Sequence, residues 1–519
     1  MNTLVINLTR FGDLLQTQPT IAGLTAEGRE VGLVCLENFA TAADLLEGVS
    51  AVRPLPGASF LARCDQNWRL ALQEVEAFVQ NLAQDMNPDL VINLTPSLPA
   101  RILARRLPAR ERRGFLVDEF GFGQYQNPWA AFLQLSTGRR AASPFNVADL
   151  FCRAAGLRGP RPVFALRRPE AAAQTQARDL LVANQPEGTT GFVAMQLGAS
   201  EDRRRWPLSH FQALGRRLWD ERGLCPVLLG SDGEIPLGKR FEENGPPCVN
   251  LVGATDLSGL AAVLTQVQAL VTNDTGTMHL AAGLSTPILA LFLATAQPWD
   301  TGPCQANALC LEPDLDCHPC AFGQACAREQ ECRRAIRPDP VFDLLTGYLK
   351  TGRWPTARGL GLRAWLTRQG ADGLMTLGSL SGHDQSDRGI WMRLQHDILG
   401  PFLDGAEPTS PDMGADMAFS PETRQALAAT LDEASGLLEL AVQQATLLGV
   451  SPRGALKTKF LTTCRRIEST LTTNPRTTAL ASLWACQSQE QARTVADLAI
   501  LAARHRSLIA ALAQAVGRV

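Results

Sequence analysis

ALVTNDTGTMHLAAGL (269–284) holds a strand, a polar turn and a helix start in one short run. ALVTND reads as a buried strand that delivers Asn273 and Asp274, and a helix begins at Thr275-Gly276-Thr277. Small residues at that point leave backbone N–H groups open at the positive end of the helix, which suits a diphosphate. His279 lies about one turn further on and can reach the same anion. The same residues also suit an ordinary helix with Asp274 as its N-cap and His279 packed in a core. The run alone leaves both readings open.

Outward from this run the chain alternates short apolar strands with helical patterns. GFVAMQLG (191–198), CPVLLG (225–230) and PILALFL (287–293) read as strands, with PLSHFQALGRRLWDERG and DLSGLAAVLTQV as helices between them. The same rhythm precedes it: LVINL (4–8), VGLVCL (31–36) and DLVINL (89–94) are strands, and residues 67–86 carry apolar positions at helical spacing. RGPRPVFALRRPE (158–170) interrupts the pattern and reads as a linker. Two parallel, doubly wound sheets in tandem would face each other across a cleft, with ligands at the carboxyl ends of the strands.

Of the 519 residues, 45% are hydrophobic and 19% charged, which is a globular composition, and the net charge of -2 provides no global attraction to nucleic acid. MNTLVINL lacks the basic and apolar regions of a signal peptide, and no run is long and apolar enough to span a bilayer, so the expected compartment is the cytoplasm. The expected domains are 1–157 and 158–350, each Rossmann-like, and a helical extension over 351–519. Within the extension, residues 423–449, 458–471 and 492–516 read as amphipathic helices. A further helix near 338–350 is expected to cross back toward the N-terminal domain.

The block NDTGTMHLAAGL (273–284) resembles the signature of glycosyltransferase family 9, the heptosyltransferases. LVINLTRFGDLLQTQPTI (4–21) is similar to that family's opening strand, its R-x-x-G-D turn and its first helix. The resemblance implies a GT-B fold and an inverting transfer of a sugar from a nucleotide diphosphate donor, ADP-heptose by family. The implied acceptor is the lipopolysaccharide core. A protein acceptor such as a flagellin or autotransporter is the alternative, and a non-catalytic nucleotide-binding scaffold a more distant one. Peripheral association with the inner face of the inner membrane would accompany a glycolipid acceptor, and no nucleic-acid partner is implied.

The resemblance also assigns residues. Asp13 maps to the general base on the acceptor hydroxyl, a role that a carboxylate just past a strand end can fill. Arg10 and Gly12 share its turn. QLGASEDRRRWPLSHFQAL (196–214) resembles a family segment with a basic residue before Trp-Pro, often a Lys. Arg204 holds that place, with Arg203 or Arg205 as alternatives, and offers a cation to the leaving diphosphate. Glu234, in LLGSDGEIPLGKRF (228–241), maps to a ligand of the ribose hydroxyls. Asp274, Thr275, Gly276, Thr277 and His279 map to the donor diphosphate site, and VGATDLSGLAAVL (252–264) to the base pocket. No DxD metal motif stands out, so the chemistry itself is expected to need no cofactor.

Thirteen cysteines in a reducing compartment do not suggest disulfides, yet six fall within 304–332. Cys317, Cys320, Cys326 and Cys332 have spacings at which four thiolates can hold structural Zn or Fe, and free thiols are the alternative. Some family members carry a similar insertion, including protein heptosyltransferases with an iron-binding finger. RILARRLPARERR (101–113) concentrates arginines on and after one helix, either a solvated face or a patch turned toward an acidic acceptor.

Overall fold

The structure is a computed structural model that describes residues 1–138, 142–414, 417–451, 454–490, 492 and 494–518. Arg493, at the start of the last expected helix, lies outside the described residues.

Six strands form the first sheet: β1 Asn2–Ile6, β2 Glu30–Leu36, β3 Val49–Leu55, β4 Leu90–Asn93, β5 Glu111–Val117 and β6 Gly123–Tyr125. Their order is β3-β2-β1-β4-β5-β6, parallel except for the edge pair β5–β6. Eight strands form the second: β7 Gly191–Gln196, β8 Leu224–Leu229, β9 Val249–Asn250, β10 Ala269–Asn273, β11 Ile288–Leu291, β12 Leu309–Pro313, β13 Leu362–Gln369 and β14 Met375–Ser379. Their order is β14-β13-β12-β11-β10-β7-β8-β9, parallel from β12 to β9. Both sheets reverse their strand order at the first strand, at β1/β4 and at β7/β10. Those two switch points are where an open α/β sheet leaves a crevice.

The two-residue period of a strand sends alternate side chains to different cores. Leu4 and Ile6 join a small core with Val79, Leu82 and Leu103, whereas Val5 faces a larger one. In β10, Ala269 and Val271 face the second domain's own core and Leu270 faces the larger one. That larger core runs through one face of each sheet and into the C-terminal helices. The linker helps to join the two sheets, because Leu166 N–H donates to Gly283 O at 2.9 Å and Arg167 N–H to Leu45 O at 2.8 Å.

Two expectations change. Residues 351–519 are not wholly helical: β13 and β14 form an antiparallel hairpin on the edge of the second sheet. The glycines around this hairpin and its polar outer face hide the alternation from a sequence reading. The helix Pro338–Thr351 does not cross to the N-terminal domain. It packs on the helix Leu208–Arg222, with Arg217 paired to Asp339 at 3.1 Å.

Beyond the hairpin come the helices Asp387–Leu403, Pro421–Val450, Gly454–Thr473, Thr478–Glu490 and Val495–Arg518. Ser420 caps the second of these, with Pro421 at its first position, and its buried Leu427, Leu431, Ala434, Leu438, Ala441 and Ala445 recur at helical spacing. The bundle is tied to the second sheet by Arg388, which pairs with the fully buried Glu312 at 3.0 Å and donates to Gln297 Oε1 at 2.9 Å. It is tied to the first domain where Trp129 Nε1 donates to Asp404 Oδ1 at 2.9 Å. Among the described residues, no helix is long and apolar enough to cross a membrane.

Within the bundle, His505 is buried between the rings of Phe402 and Trp484 and lies 2.7 Å from Gln487 Oε1. Burial pushes it down to about 3, so it stays neutral in the fold while the unfolded chain takes up a proton near pH 6.5. Protons therefore favour the unfolded state between about pH 6.5 and 3, and stability falls as pH falls through that window. At pH 5 the expected cost from this residue is about 2 kcal/mol, read as a denaturation midpoint that falls less steeply with acid in His505→Phe.

Candidate active site

A cleft of about 720 Å³ lies between the two sheets at their switch points. On its first wall the chain leaves β1 at Ile6, and buried Asn7 fixes the turn: its Nδ2 donates to Thr17 Oγ1 at 2.6 Å and its Oδ1 accepts from Thr9 N–H at 3.1 Å. The helix Phe11–Leu15 follows, with half-buried Asp13 in its first turn. Arg10, Phe11, Gly12 and Asp13 all line the cleft.

The opposite wall is organised by Asn273, fully buried at the end of β10. Its Oδ1 accepts from Trp206 N–H at 2.9 Å and its Nδ2 donates to Gly198 O at 2.9 Å, so one amide fixes the loops after β7 and before the helix Leu208–Arg222. This arrangement brings Arg204 onto Asp274, both buried, in a direct ion pair; Thr301 Oγ1 donates to the same carboxylate at 3.3 Å. Asp274 is therefore not the helix cap that the residues alone allowed. Thr275 holds the N-cap position of the helix Gly276–Gly283 without a side-chain cap bond. Thr275, Gly276 and Thr277 line the cleft at that helix's positive end.

The three successive arginines separate in space. Arg204 and Arg205 line the cleft, whereas Arg203 pairs with Glu201 at 2.6 Å and donates to Gln324 O at 3.2 Å, beside the cysteine-rich segment. Glu234 also lines the cleft. Its Oε2 accepts from Ser231 N–H at 2.8 Å and Gln196 Nε2 at 3.3 Å. A Cβ on Gly198 would stand 1.2 Å from Glu234 Oε1, so the close approach of this carboxylate to β7 requires glycine.

His279 lines the cleft but also faces the opposite domain, with its Nε2 3.4 Å from Gln16 Nε2. A Cβ on Gly12 would lie 2.9 Å from its ring, and one on Gly276 would lie 2.3 Å from Phe11. The helices Phe11–Leu15 and Gly276–Gly283 thus meet through two glycines. All ten site residues expected in the two domains share this one cleft. Sequence reading missed Asn38 and Phe39 past β2, Gln196 at the end of β7, Ser200, Ser231 and Thr301. The rule that ligands sit at strand carboxyl ends pointed to the first three, which carry no motif of their own. The loop Thr255–Leu257, expected at the base pocket, lines the cleft as well.

Of the four candidate metal-ligating cysteines, Cys332 is buried, Cys320 half-buried, and Cys317 and Cys326 exposed. Burial raises the Cys320 thiol, and the charges of Cys332, Cys317 and Cys326 raise it further. The N–H groups of Arg328 and Gln330 hold Cys326 below the usual thiol range. Among the described residues, however, no three Cys, His, Asp or Glu side chains converge as they would around a metal ion.

A family model for glycosyltransferase family 9 (heptosyltransferase) matches residues 75–330. Residues 75–330 are a glycosyltransferase family 9 domain. It is 34% identical over 110 residues to lipooligosaccharide heptosyltransferase 2 of Haemophilus influenzae and 31% identical over 182 residues to lipopolysaccharide heptosyltransferase 2 of Escherichia coli. These alignments cover 20% and 31% of this chain and span only 31% and 52% of those relatives' lengths. With lipopolysaccharide heptosyltransferase 1 of Pseudomonas aeruginosa the identity is 26%, over 62% of this chain and 86% of the relative. Among solved structures, the family 9 glycosyl transferase of Veillonella parvula superposes with a TM-score of 0.54 and the E. coli ADP-heptose LPS heptosyltransferase II with 0.50. Both are 18% identical; they cover 67% and 68% of this chain, and 97% and 99% of their own. The likeness establishes for this chain the GT-B fold that its two facing sheets display. The turn that carries Asp13 lies outside the span of the family match.

Proposed function

We propose that this chain is an inverting glycosyltransferase that moves a heptose from ADP-heptose to an acceptor hydroxyl of the lipopolysaccharide core. The observation that carries the reading is the convergence of Asp13 from one sheet with Arg204, Asp274 and an uncapped helix start from the other in a single cleft. Asp13 takes the proton of the acceptor hydroxyl as its oxygen attacks the anomeric carbon. The bond from that carbon to the diphosphate breaks on the opposite face, which inverts the configuration, and the electron pair leaves with ADP. Arg204, aimed by Asp274, and the N–H groups after Thr275 stabilise the growing charge on the leaving oxygen. Glu234 accepts from the ribose hydroxyls, and the loop Thr255–Leu257 borders the base. The relatives' names supply the identity of the sugar and the acceptor class.

Calorimetry with ADP, UDP, GDP and dTDP tests the donor assignment. Selective binding of ADP is expected. Selective binding of another nucleotide would replace heptose as the donor sugar, and binding of none would overturn the reading.

A further inference from the structure

The C-terminal region encloses a cavity that the transfer chemistry does not use. It has a volume of about 360 Å³ and lies where the free edge of β14 meets the helix Asp387–Leu403. Apart from Pro144 and Trp299, its lining comes from residues 365–417, beyond the family 9 match. The helix Pro298–Thr301 separates it from the cleft: Trp299 lines this cavity, whereas Thr301 lines the cleft. Residues two apart in a helix point about 200° from each other, so one turn of chain presents a face to each cavity.

Two donors in this cavity lack acceptors. The first is the indole N–H of Trp299. Every other buried tryptophan donates its N–H to a protein oxygen, at 2.8–3.0 Å. Trp299, only 8% exposed, has no such partner among the described residues. A buried indole N–H ordinarily finds an acceptor. The ring itself is held firmly, 4.5 Å from the Trp365 ring and 4.6 Å from the guanidinium carbon of Arg388. The second donor is Arg368. Its guanidinium lies across Gly378, where a Cβ would stand 2.6 Å from the guanidinium carbon, and no carboxylate among the described residues pairs with it.

The remaining polar lining defines the rest of a ligand. Asp397 is already engaged, 3.2 Å from His396 Nδ1 and 3.7 Å from Arg393 Nε. Asp384 and Thr376 offer oxygens that suit hydroxyl groups, and Trp365, Leu377 and Met392 supply an apolar side. An unpaired cation calls for an anion. The volume, against about 720 Å³ for the cleft, suits one sugar ring and not a nucleoside diphosphate sugar.

We propose that this cavity is a second ligand site, which takes a monosaccharide carrying a phosphate or carboxylate. The anion sits on Arg368, an acceptor oxygen meets the Trp299 N–H, and hydroxyls meet Asp384 and Thr376. The site stands apart from the transferase reading, because neither the donor nor the acceptor of that reaction occupies it.

The test is calorimetry on the full chain with glucose 1-phosphate, glucose 6-phosphate and glucuronate, against uncharged glucose and inorganic phosphate. At least one of the anionic sugars is expected to bind about tenfold or more tighter than glucose and inorganic phosphate, equally well with and without saturating ADP; the comparison of phosphates with glucuronate tells which anion the site prefers. Arg368→Gln is expected to weaken that binding by about tenfold or more and Trp299→Phe by about threefold or more, with ADP affinity unchanged. Arg368 is exposed, so its variant keeps the fold, as unaltered thermal unfolding would show. Binding by none of the three anionic sugars would overturn the proposal, as would competition with ADP or full affinity in Arg368→Gln. The Arg368 variant decides the matter whichever nucleotide the cleft takes.

Discussion

Asp13→Asn is expected to lower turnover by about 10²–10⁴-fold, the usual span for loss of a general base, while ADP affinity stays within about twofold. The substitution preserves shape, and Asp13 is half-buried at a helix start, so the fold has little reason to change. The groups assigned to the donor are carried by the second sheet: Glu234 past β8, Arg204 past β7 and the helix start past β10. The readouts are steady-state rates with saturating donor and acceptor, together with ADP calorimetry on the same preparation. Turnover equal to wild type would remove Asp13 from the mechanism. A large loss of ADP affinity would make it a donor ligand instead.

Asp274→Ala is expected to destabilise the fold by about 3–5 kcal/mol, because it leaves the buried Arg204 guanidinium without its counter-charge. Arg204→Met combined with Asp274→Leu removes both charges and is expected to recover most of that loss, since a buried pair replaced by apolar residues of similar size is often neutral. The recovered fold should still turn over about 10²–10³-fold more slowly, the scale of losing one positioned donor to a developing oxyanion. Denaturant midpoints separate the first effect and rate constants the second. A double variant as active as the wild type would remove the pair from leaving-group stabilisation, and an Asp274→Ala variant as stable as the wild type would show that Arg204 does not depend on that counter-charge in the fold.

The parts of the fold that repeat a local pattern were legible in the sequence. β1, β2, β4, β7, β8, β10 and β11 are continuous apolar runs, and each was located to within two residues. β13 and β14 were not, because they extend the sheet edge by antiparallel pairing, β13 with β12 and β14 with β13, and such edges tolerate the polar and glycine positions seen there. β3 and β5 were missed for a related reason. Val49–Leu55 contains Arg53 and Pro54, and Glu111–Val117 opens on charged residues that extend an arginine run.

The site follows the same division. Gly12, Asp13 and the block from Asp274 to His279 stand in compact runs with a direct chemical reading. The choice among Arg203, Arg204 and Arg205 was not local: it depends on Asn273 binding Trp206 N–H, a contact across 67 residues. The seam of Gly12, Gly276, Phe11 and His279 likewise appears only when the two domains meet. Arg388, 76 residues from Glu312 and in an unrelated helix, carried no signal for its buried partner.

The most direct measurement of the central claim is release of ADP from ADP-heptose in the presence and absence of a lipopolysaccharide core acceptor lacking its heptose, with the product analysed by mass and anomeric configuration. The account predicts acceptor-dependent release of ADP, one heptose gained per ADP and inversion at the anomeric carbon. No transfer from a donor that binds the cleft, or transfer with retained configuration, would contradict it.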